Sequence, residues 1–372
     1  MRILHILPSI RSGGVANVVY NLTSYQIKQG EDVTIFVSSS QHKFRTKEKD
    51  FVDLGANVIY SHLSRNYDPR HVKEFASVIR GFDIVHVHLF PNQLWVSMAY
   101  RSLPESERPV LLTTEHNTFN NRRRFPVLRH LDRYLYTPYS RIVSISESTK
   151  ENLDRWLSSP AIAERDIVIQ NGVDIETFRQ ARPVDFDDLN LPSDARLVIM
   201  VARLTPPKDP LTLVKAIKEC PDNIHAVFIG YGPQESEIRK LSEKLLIEKR
   251  IHLLGLRNDV PSCLKRCDLG VLSTNWDGFG LVAVEYMAAG LPVLASDVDG
   301  LRDVIGNKDC LFPVGDYRTL AQKITGLLTG NEAYSAMKAY CHSRADVFSV
   351  GKMNREYLHL YKHLIDGNKE NN

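Results

Sequence analysis

The sequence is poor in cysteine, in net charge and in long apolar runs, and each shortage argues against a class of protein. Its five cysteines are scattered, and Cys263 and Cys267 have no Cys or His neighbours at zinc-site spacing, so we expect reduced thiols. A net charge of +3 gives no reason to expect a nucleic-acid partner. No stretch approaches the length that spans a bilayer, and the apolar run of "MRILHILPSIRSGG" is too short for a signal peptide. We therefore expect a cytoplasmic protein.

What is present predicts two α/β domains. A chain of 372 residues is too long for one ordinary core. Short β-rich runs alternate with helical patterns as far as "IVIQNGVDIETF", and the alternation restarts at "RLVIMVARL", which is typical of two parallel sheets. The predicted bounds are 1–178 for the first Rossmann-like domain, 179–349 for the second with a linker near 179–195, and about 350–366 for a helix that could pack back on the first. Ligands bind at the carboxyl ends of such strands, so we expect a cleft between the domains.

The stretch "NWDGFGLVAVE" combines two acids with a Gly-rich corner. A strand precedes it and a helical pattern follows it, so the helix is predicted to begin at Gly280 or nearby. Free N–H groups and the positive end of the helix dipole would make this corner an anion site. Glu285, about one and a half turns into the helix, could accept hydrogen bonds from sugar hydroxyls, and Asp277 could hold another polyol. The alternative is that Asp277 caps the helix and Glu285 is a solvated charge.

Two cations lie at the same predicted edge, in "VARLTPPKDPLTLVKAI". Arg203 ends a strand, and Lys208 stands at the start of the next helix. The planar fork of arginine and the point charge of lysine together would suit a diphosphate. The alternative is that both pair with surface acids, as most exposed cations do.

The first domain offers further candidates. Gly14, in "SGGVANVV", lies in a tight turn into a helix, although the spacing is not the G-x-G-x-x-G of dinucleotide-binding proteins. His116 follows a strand, where it could handle a proton or contact a hydroxyl, although a lone histidine is more often structural. His86 and His88 lie on one side of another strand; we expect a structural role for His86, while His88 could line the cleft.

A basic segment follows His116. Its arginines alternate with apolar and aromatic residues, as in helices that dock on anionic lipid or hold the phosphate of an acceptor. The arginines that are candidates for this role are Arg122, Arg123, Arg124 and Arg129. The alternative is a solvated basic face.

Together these motifs resemble the retaining GT-B glycosyltransferases of family 4, the glycogen synthase-like group that uses nucleotide sugars. The resemblance covers nearly the whole chain, and the order of the motifs carries it. They include "SGGVANVV", "VHVH", "VSISESTKENL", "VARLTPPKDPLTLVKAI", "FIGYGPQESEIRKL" and "DGFGLVAVEYMAAGLPVLASDVDGLRDVI". The resemblance implies a GT-B fold, in which two Rossmann-like domains face each other across a cleft, and a transferase activity.

The resemblance also implies roles for matched residues. Arg203 and Lys208 would neutralise the donor diphosphate, and Glu285 would bind the ribose. The loop at Leu256 and Arg257 would meet the base. The transferred sugar and distal phosphate would be held, beside Asp277, by the backbone of Gly278, Phe279, Gly280, Leu281 and Val282. From the first domain, Gly14 would approach the phosphates and His116 would contact the donor sugar.

No metal or other cofactor is expected. In the family that the chain resembles, arginine, lysine and a helix dipole supply the electrostatic stabilisation. Two Asp-x-Asp patterns, at 185–188 and 297–300, lie in different domains and do not make one metal site.

The implied function is transfer of a sugar, most often from a UDP-sugar, to a hydroxyl acceptor. The family builds bacterial surface polysaccharide, lipopolysaccharide and glycolipid, and its usual reaction is attack by the acceptor on the same face as the departing phosphate. The basic segment favours a lipid-linked acceptor and peripheral contact with the inner face of the cytoplasmic membrane.

Asp277 departs from the family pattern, in which the first acid of the pair is usually glutamate. The shorter side chain predicts either a different pattern of sugar hydroxyls or a weakened catalyst. A non-catalytic protein that binds nucleotide sugars and a GT-B sugar-nucleotide epimerase therefore stay open. A phosphorylase is disfavoured because no pyridoxal-binding lysine motif is evident, and an NAD-dependent oxidoreductase because G-x-G-x-x-G is missing.

Overall fold

The computed structural model describes residues 1–11, 13–41, 45–118 and 121–370, which form two compact units. Unit 1 comprises Met1–Gly172 together with the chain from Val350 onward, and unit 2 comprises Val173–Ser349. The boundary predicted at 178/179 falls inside a helix of unit 2, because Val173 already pairs with Ser349 there. Ser12 of "SGGVANVV", and Phe119 and Asn120 before the basic segment, lie outside the described residues.

Unit 1 is built on a parallel sheet. Its described strands are β1 (Arg2–Leu7), β2 (Asp32–Val37), β3 (Asn57–Tyr60), β4 (Ile84–His88), β5 (Val110–Glu115), β6 (Arg141–Ser144) and β7 (Asp166–Val168). They lie in the order β3-β2-β1-β4-β5-β6-β7. Its helices before unit 2 are α1 (Gly14–Lys28), α2 (Glu48–Asp53), α3 (His71–Val78), α4 (Asn92–Ser102), α5 (Leu128–Tyr136), α6 (Glu147–Leu157) and α7 (Pro160–Ala163). Every residue of β4 and β5 is buried, as expected for central strands of a parallel sheet.

Unit 2 repeats this design. Its described strands are β8 (Arg196–Val201), β9 (Ile224–Ile229), β10 (Ile251–Leu253), β11 (Leu269–Leu272), β12 (Val293–Ser296) and β13 (Leu311–Phe312), in the order β10-β9-β8-β11-β12-β13. Its helices are α8 (Ile175–Gln180), α9 (Pro210–Glu219), α10 (Glu235–Lys244), α11 (Val260–Arg266), α12 (Leu281–Ala288), α13 (Asp299–Ile305), α14 (Tyr317–Thr329) and α15 (Asn331–Ala345). All pairings in this sheet are parallel.

A final helix, α16 (Val350–Glu370), belongs to unit 1 and lies against α1 and β5. Its Tyr361 hydroxyl is 2.5 Å from Nδ1 of His86, and its Tyr357 hydroxyl is 3.0 Å from that of Thr114. In the described part of the chain, no helix is both long and apolar enough to cross a membrane.

In each sheet the strand order reverses beside the first strand, between β1 and β4 in unit 1 and between β8 and β11 in unit 2. Ligands of open parallel sheets bind outside the carboxyl ends of the strands at this switch point. In unit 2 the loops that leave it are residues 202–209, which carry Arg203 and Lys208, and residues 273–280, which carry Asp277. The topology therefore brings the predicted cations and the Gly-rich corner to one edge.

Candidate active site

The two loops at the switch point of unit 2 are joined by hydrogen bonds. The backbone N–H of Asn275 and the hydroxyl of Thr274 both donate to the carbonyl of Pro207, at 2.9 and 2.8 Å. The hydroxyl of Ser273 donates to the carbonyl of Asp209 at 2.7 Å. These bonds hold the loop that carries Lys208 against the loop that carries Asp277.

Glycines of the loop after β9 support the loop of Arg203 from the other side, a role that no motif in the sequence predicts. A Cβ on Gly230 would lie 1.9 Å from the carbonyl oxygen of Ala202, and one on Gly232 would lie 2.2 Å from that of Leu204. The backbone N–H of Leu204 also donates to the carbonyl of Tyr231 at 3.0 Å. The glycines of "FIGYG" are thus needed so that the loop after β9 can contact the loop after β8.

The two predicted cations differ in their surroundings. Arg203 is exposed, and its side chain makes no hydrogen bond or ion pair within the described residues. Lys208 instead places Nζ 2.5 Å from Oδ2 of Asp277, and both side chains are mostly buried. The alternative of pairing with an acid therefore holds for Lys208, whereas Arg203 extends from the switch point toward solvent.

The "DGFG" corner begins α12 as predicted. Gly280 is the N-cap residue and adopts the left-handed region, with φ of 86°; a Cβ there would lie 2.3 Å from Cδ2 of Leu301. Asp277 does not cap this helix, since its Oδ1 accepts instead from the N–H of Phe279 at 3.2 Å. Among the described residues, the N–H groups of Leu281 and Val282 have no acceptor, which leaves the positive end of α12 available to an anion.

Gly300, at the start of α13, was not predicted from the sequence as part of this corner. A Cβ on it would lie 2.5 Å from the carbonyl oxygen of Asp277 and 2.7 Å from the carbonyl carbon of Gly278. Only a glycine lets α13 approach the corner this closely without displacing its backbone. The pattern "DVDG" contains this residue, but nothing in the pattern predicts which loop it contacts.

Glu285 is not a solvated surface charge. It is partly enclosed on α12, and desolvation raises the pKa of its carboxyl to about 7. No hydrogen-bond or ion-pair partner of its side chain occurs within the described residues. The neighbouring Tyr286 crosses β11, where its hydroxyl accepts from the N–H of Val201 at 2.6 Å, and thereby fixes the register of α12 against β8.

The loop after β10 lies next along the same edge. The N–H of Gly230 donates to the carbonyl of Gly255 at 2.8 Å, which ties this loop to the one after β9. Leu256 is 73% exposed, while Arg257 forms a two-point ion pair with Asp259, with contacts of 2.7 and 2.5 Å. The pair raises the pKa of Arg257 and leaves Leu256 as an exposed apolar surface.

In unit 1, Gly14 opens α1, as the glycine turn predicts, and it is exposed. His116 follows β5 directly, is 6% exposed, and places Nε2 3.0 Å from Nδ1 of His88. Burial lowers the pKa of His116 to about 3, so its imidazole is neutral at physiological pH. Of the two roles predicted for His116, transfer of a proton and contact with a hydroxyl, a neutral ring of this kind favours the contact with a hydroxyl.

The structure corrects the interpretation of the basic segment. Arg123 is 5% exposed and lies 3.8 Å from Oε1 of Glu115, and Arg122 lies 3.6 Å from Oδ1 of Asp132. These two arginines point inward, because buried carboxylates on β5 and α5 need cations. Arg129 is half-buried over the ring of Trp156, and Arg124 is exposed.

What this segment exposes is largely apolar. Next to Arg124 lie Phe125 and Val127, which are 60% and 75% exposed. On α5, Leu131 and Tyr134 are 41% and 53% exposed. We call these four apolar side chains the α5 apolar patch.

Known proteins share both halves of this arrangement. The sequence profile described as "Glycosyltransferase Family 4" matches residues 12–177, and the profile described as "Glycosyl transferases group 1" matches residues 181–344. A phosphatidyl-myo-inositol mannosyltransferase of Mycolicibacterium smegmatis is 25% identical over 369 residues, which cover 94% of this chain and 90% of that protein. A UDP-Gal:alpha-D-GlcNAc-diphosphoundecaprenol alpha-1,3-galactosyltransferase of Escherichia coli is 29% identical over 301 residues, 76% of each chain.

Solved structures agree on the fold. The Anabaena protein HepE, crystallised in complex with UDP and glucose, matches with a TM-score of 0.82 and 18% identity, over 97% of this chain and 99% of that one. Two parallel Rossmann-like sheets, together with the two matched profiles, define the class as GT-B glycosyltransferases. With its two profiles matched in order, the chain belongs to glycosyltransferase family 4, group 1, which confirms the resemblance seen in the sequence.

Proposed function

We propose that this glycosyltransferase moves a sugar from a UDP-sugar to a hydroxyl of a glycan or lipid-linked acceptor, in surface polysaccharide, lipopolysaccharide or glycolipid assembly. The observation that carries the proposal is the edge of unit 2, where an exposed arginine, a helix N-terminus and an enclosed carboxylate occur on adjoining elements. The UDP bound to HepE and the transferase activities for which the relatives in M. smegmatis and E. coli are named support it.

The donor diphosphate is assigned to Arg203 and to the free N–H groups that begin α12. Arg203 offers a planar fork that no acid among the described residues occupies, and the helix end adds its dipole and amides from Gly280 to Val282. The backbone of Gly278 and Phe279 would then hold the transferred sugar. Because these groups place positive charge where the leaving phosphate develops its own charge, the reaction is proposed to need no metal.

The nucleoside is assigned to Glu285 and the loop after β10. An ionised Glu285 would accept hydrogen bonds from both ribose hydroxyls. These hydroxyls would also supply the hydrogen-bond partners that the enclosed carboxylate lacks among the described residues. Leu256 would pack on the base, with Arg257 fixed beside it by Asp259.

The ion pair between Lys208 and Asp277 is proposed to break when the donor binds. Lys208 would turn to the phosphate, and Asp277 would be released to a hydroxyl of the transferred sugar. From unit 1 we propose Gly14 as a contact of the phosphates and His116 as a contact of the donor sugar. The acceptor is proposed to attack on the same face as the leaving phosphate, which retains the configuration of the sugar.

Peripheral membrane contact is proposed for the α5 apolar patch. Aromatic and aliphatic side chains beside Arg124 suit the interface of a bilayer with anionic lipid. The test is binding to vesicles of phosphatidylglycerol and phosphatidylcholine, with Phe125→Asp and Val127→Asp together against the matched surface control Val347→Asp. The proposal is supported if the double variant loses vesicle binding while the control variant and the unaltered protein keep it. Equal vesicle binding by these three proteins contradicts it.

The donor site is tested by calorimetric titration with UDP and by release of UDP from UDP-sugars. Arg203→Ala should weaken UDP binding about tenfold or more, because a charged hydrogen bond is lost. Arg239→Ala is the control, since Arg239 is an exposed arginine on α10 whose ion-pair partner is Glu235 of the same helix. Unchanged UDP affinity in Arg203→Ala would rule out the assigned phosphate site.

A non-catalytic nucleotide-sugar-binding protein is the second candidate, and the Lys208–Asp277 ion pair is the observation that favours it. If the pair does not open on donor binding, the acid cannot reach the sugar. Thermal stabilisation by a UDP-sugar without UDP release, even with acceptors present, would select this candidate. Interconversion of UDP-sugars without an acceptor would instead identify an epimerase.

A further inference from the structure

A file of hydrogen-bonded side chains runs through unit 1 and ends at His116. Oε1 of Gln26 lies 3.0 Å from Nε2 of His5. Nδ1 of His5 lies 3.2 Å from Nε2 of His88, and Nδ1 of His88 lies 3.0 Å from Nε2 of His116. The four residues come from α1, β1, β4 and the residue after β5, so four elements share one continuous file.

Each ring in this file is neutral. Gln26 is 1% exposed, and His5 and His88 are fully buried. Burial lowers the pKa of His5 to about 4 and that of His88 well below its ordinary value. A neutral imidazole carries one N–H and one lone pair, so each ring donates at one end and accepts at the other.

The amide oxygen of Gln26 fixes the direction of the file, because a carbonyl oxygen can only accept. His5 therefore donates from Nε2 and accepts at Nδ1. His88 then donates from Nε2 to His5 and accepts at Nδ1. His116 must donate from Nε2 to His88, which leaves its Nδ1 as a lone pair with no partner within the described residues.

A bound metal is the competing explanation, since ligand atoms of His5, His86 and His88 lie within 4.8 Å of one another. Every ring nitrogen of these three residues already has a protein partner, however. His5 and His88 are satisfied within the file, and His86 is satisfied by Tyr361 and Thr114 at 2.5 and 2.7 Å. A metal would have to replace these bonds, so hydrogen bonding explains the cluster without it.

We propose that Gln26, His5 and His88 are positioning residues that hold His116 in its Nε2–H tautomer, so that its Nδ1 accepts a hydrogen bond from a hydroxyl of the bound sugar. The tautomer follows from the file alone, whereas the contact with the sugar rests on the proposed function. In this role His116 orients the donor sugar and transfers no proton. Since Gln26 lies three side chains away, a change there should alter the reaction without touching a substrate.

The tautomer is tested by long-range ¹⁵N–¹H correlation NMR of the full chain with labelled histidine, which distinguishes a protonated ring nitrogen from a lone pair. The signals of His116 are assigned by their loss in His116→Gln. We expect Nε2–H in the unaltered protein. A proton on Nδ1, or averaged shifts for the two nitrogens, would overturn the proposal, as would zinc found at one equivalent by elemental analysis.

Two variants on α1 separate positioning from packing. Gln26→Met keeps the side-chain length but removes the acceptor, so His116 should move to Nδ1–H or to a mixture. Thr23→Val, one turn earlier on the same helix, is the control, because Thr23 is buried and its hydroxyl lacks a hydrogen bond within the described residues. An unchanged His116 tautomer in Gln26→Met would contradict the proposal.

Kinetics then test the contact with the sugar. Gln26→Met should lower kcat about tenfold, the equivalent of one hydrogen bond, with UDP affinity unchanged. Equal losses in Gln26→Met and Thr23→Val would show a packing effect and overturn the contact. If UDP does not bind to the unaltered protein, the proposed function fails, while the NMR result still decides the tautomer.

Discussion

The ammonium of Lys208 lies 2.5 Å from Oδ2 of Asp277, so the acid that departs from the family pattern neutralises one of the cations assigned to the diphosphate. The two residues lie on loops that leave adjacent strands, β8 and β11, and the loops are joined by the hydrogen bonds to Pro207. The donor must therefore compete with Asp277 for Lys208.

This competition gives a prediction of opposite sign for the two partners. Asp277→Asn should strengthen UDP binding about two- to fivefold, because the ion pair is worth no more than about 1 kcal/mol and the cation is freed. Lys208→Ala should weaken it about tenfold or more. Calorimetric titration with UDP measures both. Weaker UDP binding by Asp277→Asn would mean that Asp277 itself stabilises the loop that carries Lys208.

Glu285 predicts a pH dependence of stability. Its pKa is raised from 4.5 to about 7 in the folded protein, so the folded state binds the proton more tightly than the unfolded state does. Stability is full below about pH 4.5 and is lost as the pH rises through 7. Glu285→Gln should accordingly be more stable than the unaltered protein above pH 7, by about 1–3 kcal/mol, and equally stable near pH 4.5. Urea unfolding at several pH values measures this, and a Glu285→Gln protein that is less stable at pH 8 would contradict it.

The same carboxyl predicts a pH dependence of donor binding. If its ionised form accepts from the ribose, UDP affinity should rise from pH 6 to pH 8 in the unaltered protein. Glu285→Gln should bind more weakly, with a flat profile over this range. If the UDP affinity of both proteins changed with pH in the same way, Glu285 would not be a contact of the nucleotide.

Alanine substitutions at Gly300 and Gly326 together test whether the close packing at Gly300 is needed. Gly300→Ala should destabilise unit 2 by about 1–3 kcal/mol and weaken UDP binding, since the added Cβ overlaps the backbone of Asp277 and Gly278. Gly326→Ala, in the interior of α14 with nothing within 4 Å, should stabilise by about 0.5–1 kcal/mol. Thermal unfolding and UDP titration measure both effects. Full UDP affinity in Gly300→Ala would show that the corner tolerates displacement.

Arg123 and Arg124 are adjacent yet should behave differently. Arg123→Ala leaves Glu115 buried without its cation, although the Tyr136 hydroxyl still donates to it at 2.6 Å. We expect a loss of about 2–4 kcal/mol in the free energy of unfolding. Arg124→Ala, at an exposed position, should change stability by less than about 0.5 kcal/mol. Equal stability of the two variants in urea would contradict the inward orientation of Arg123.

The sequence predicted well those features that depend on periodicity and local turn chemistry. The alternation of strands and helices, the start of α12 at Gly280 and the position of His116 after β5 are all confirmed. Each depends on neighbours in the chain, because apolar runs and glycine turns are local signals.

Features that depend on contacts between distant segments could not be read in this way. Nothing near Gly300 in sequence predicts that it touches Gly278, and nothing near Arg123 predicts that Glu115 lies beneath it. The file from Gln26 to His116 spans four elements, so neither its hydrogen bonds nor its direction has a signal in the sequence. The alternating arginines therefore predict an exposed basic surface, whereas in the structure Arg122 and Arg123 neutralise buried acids.

Unit 1 is assembled from two segments that are separated in the chain by the whole of unit 2. Its sheet is complete at Val168, but Tyr357 and Tyr361, the partners of Thr114 and His86, are translated only after unit 2. On the ribosome, unit 2 can therefore close its core while unit 1 still has polar groups of β4 and β5 open to water. Docking of α16 is then the event that seals unit 1, so a chain truncated before Val350 should contain a folded unit 2 and an unfinished unit 1.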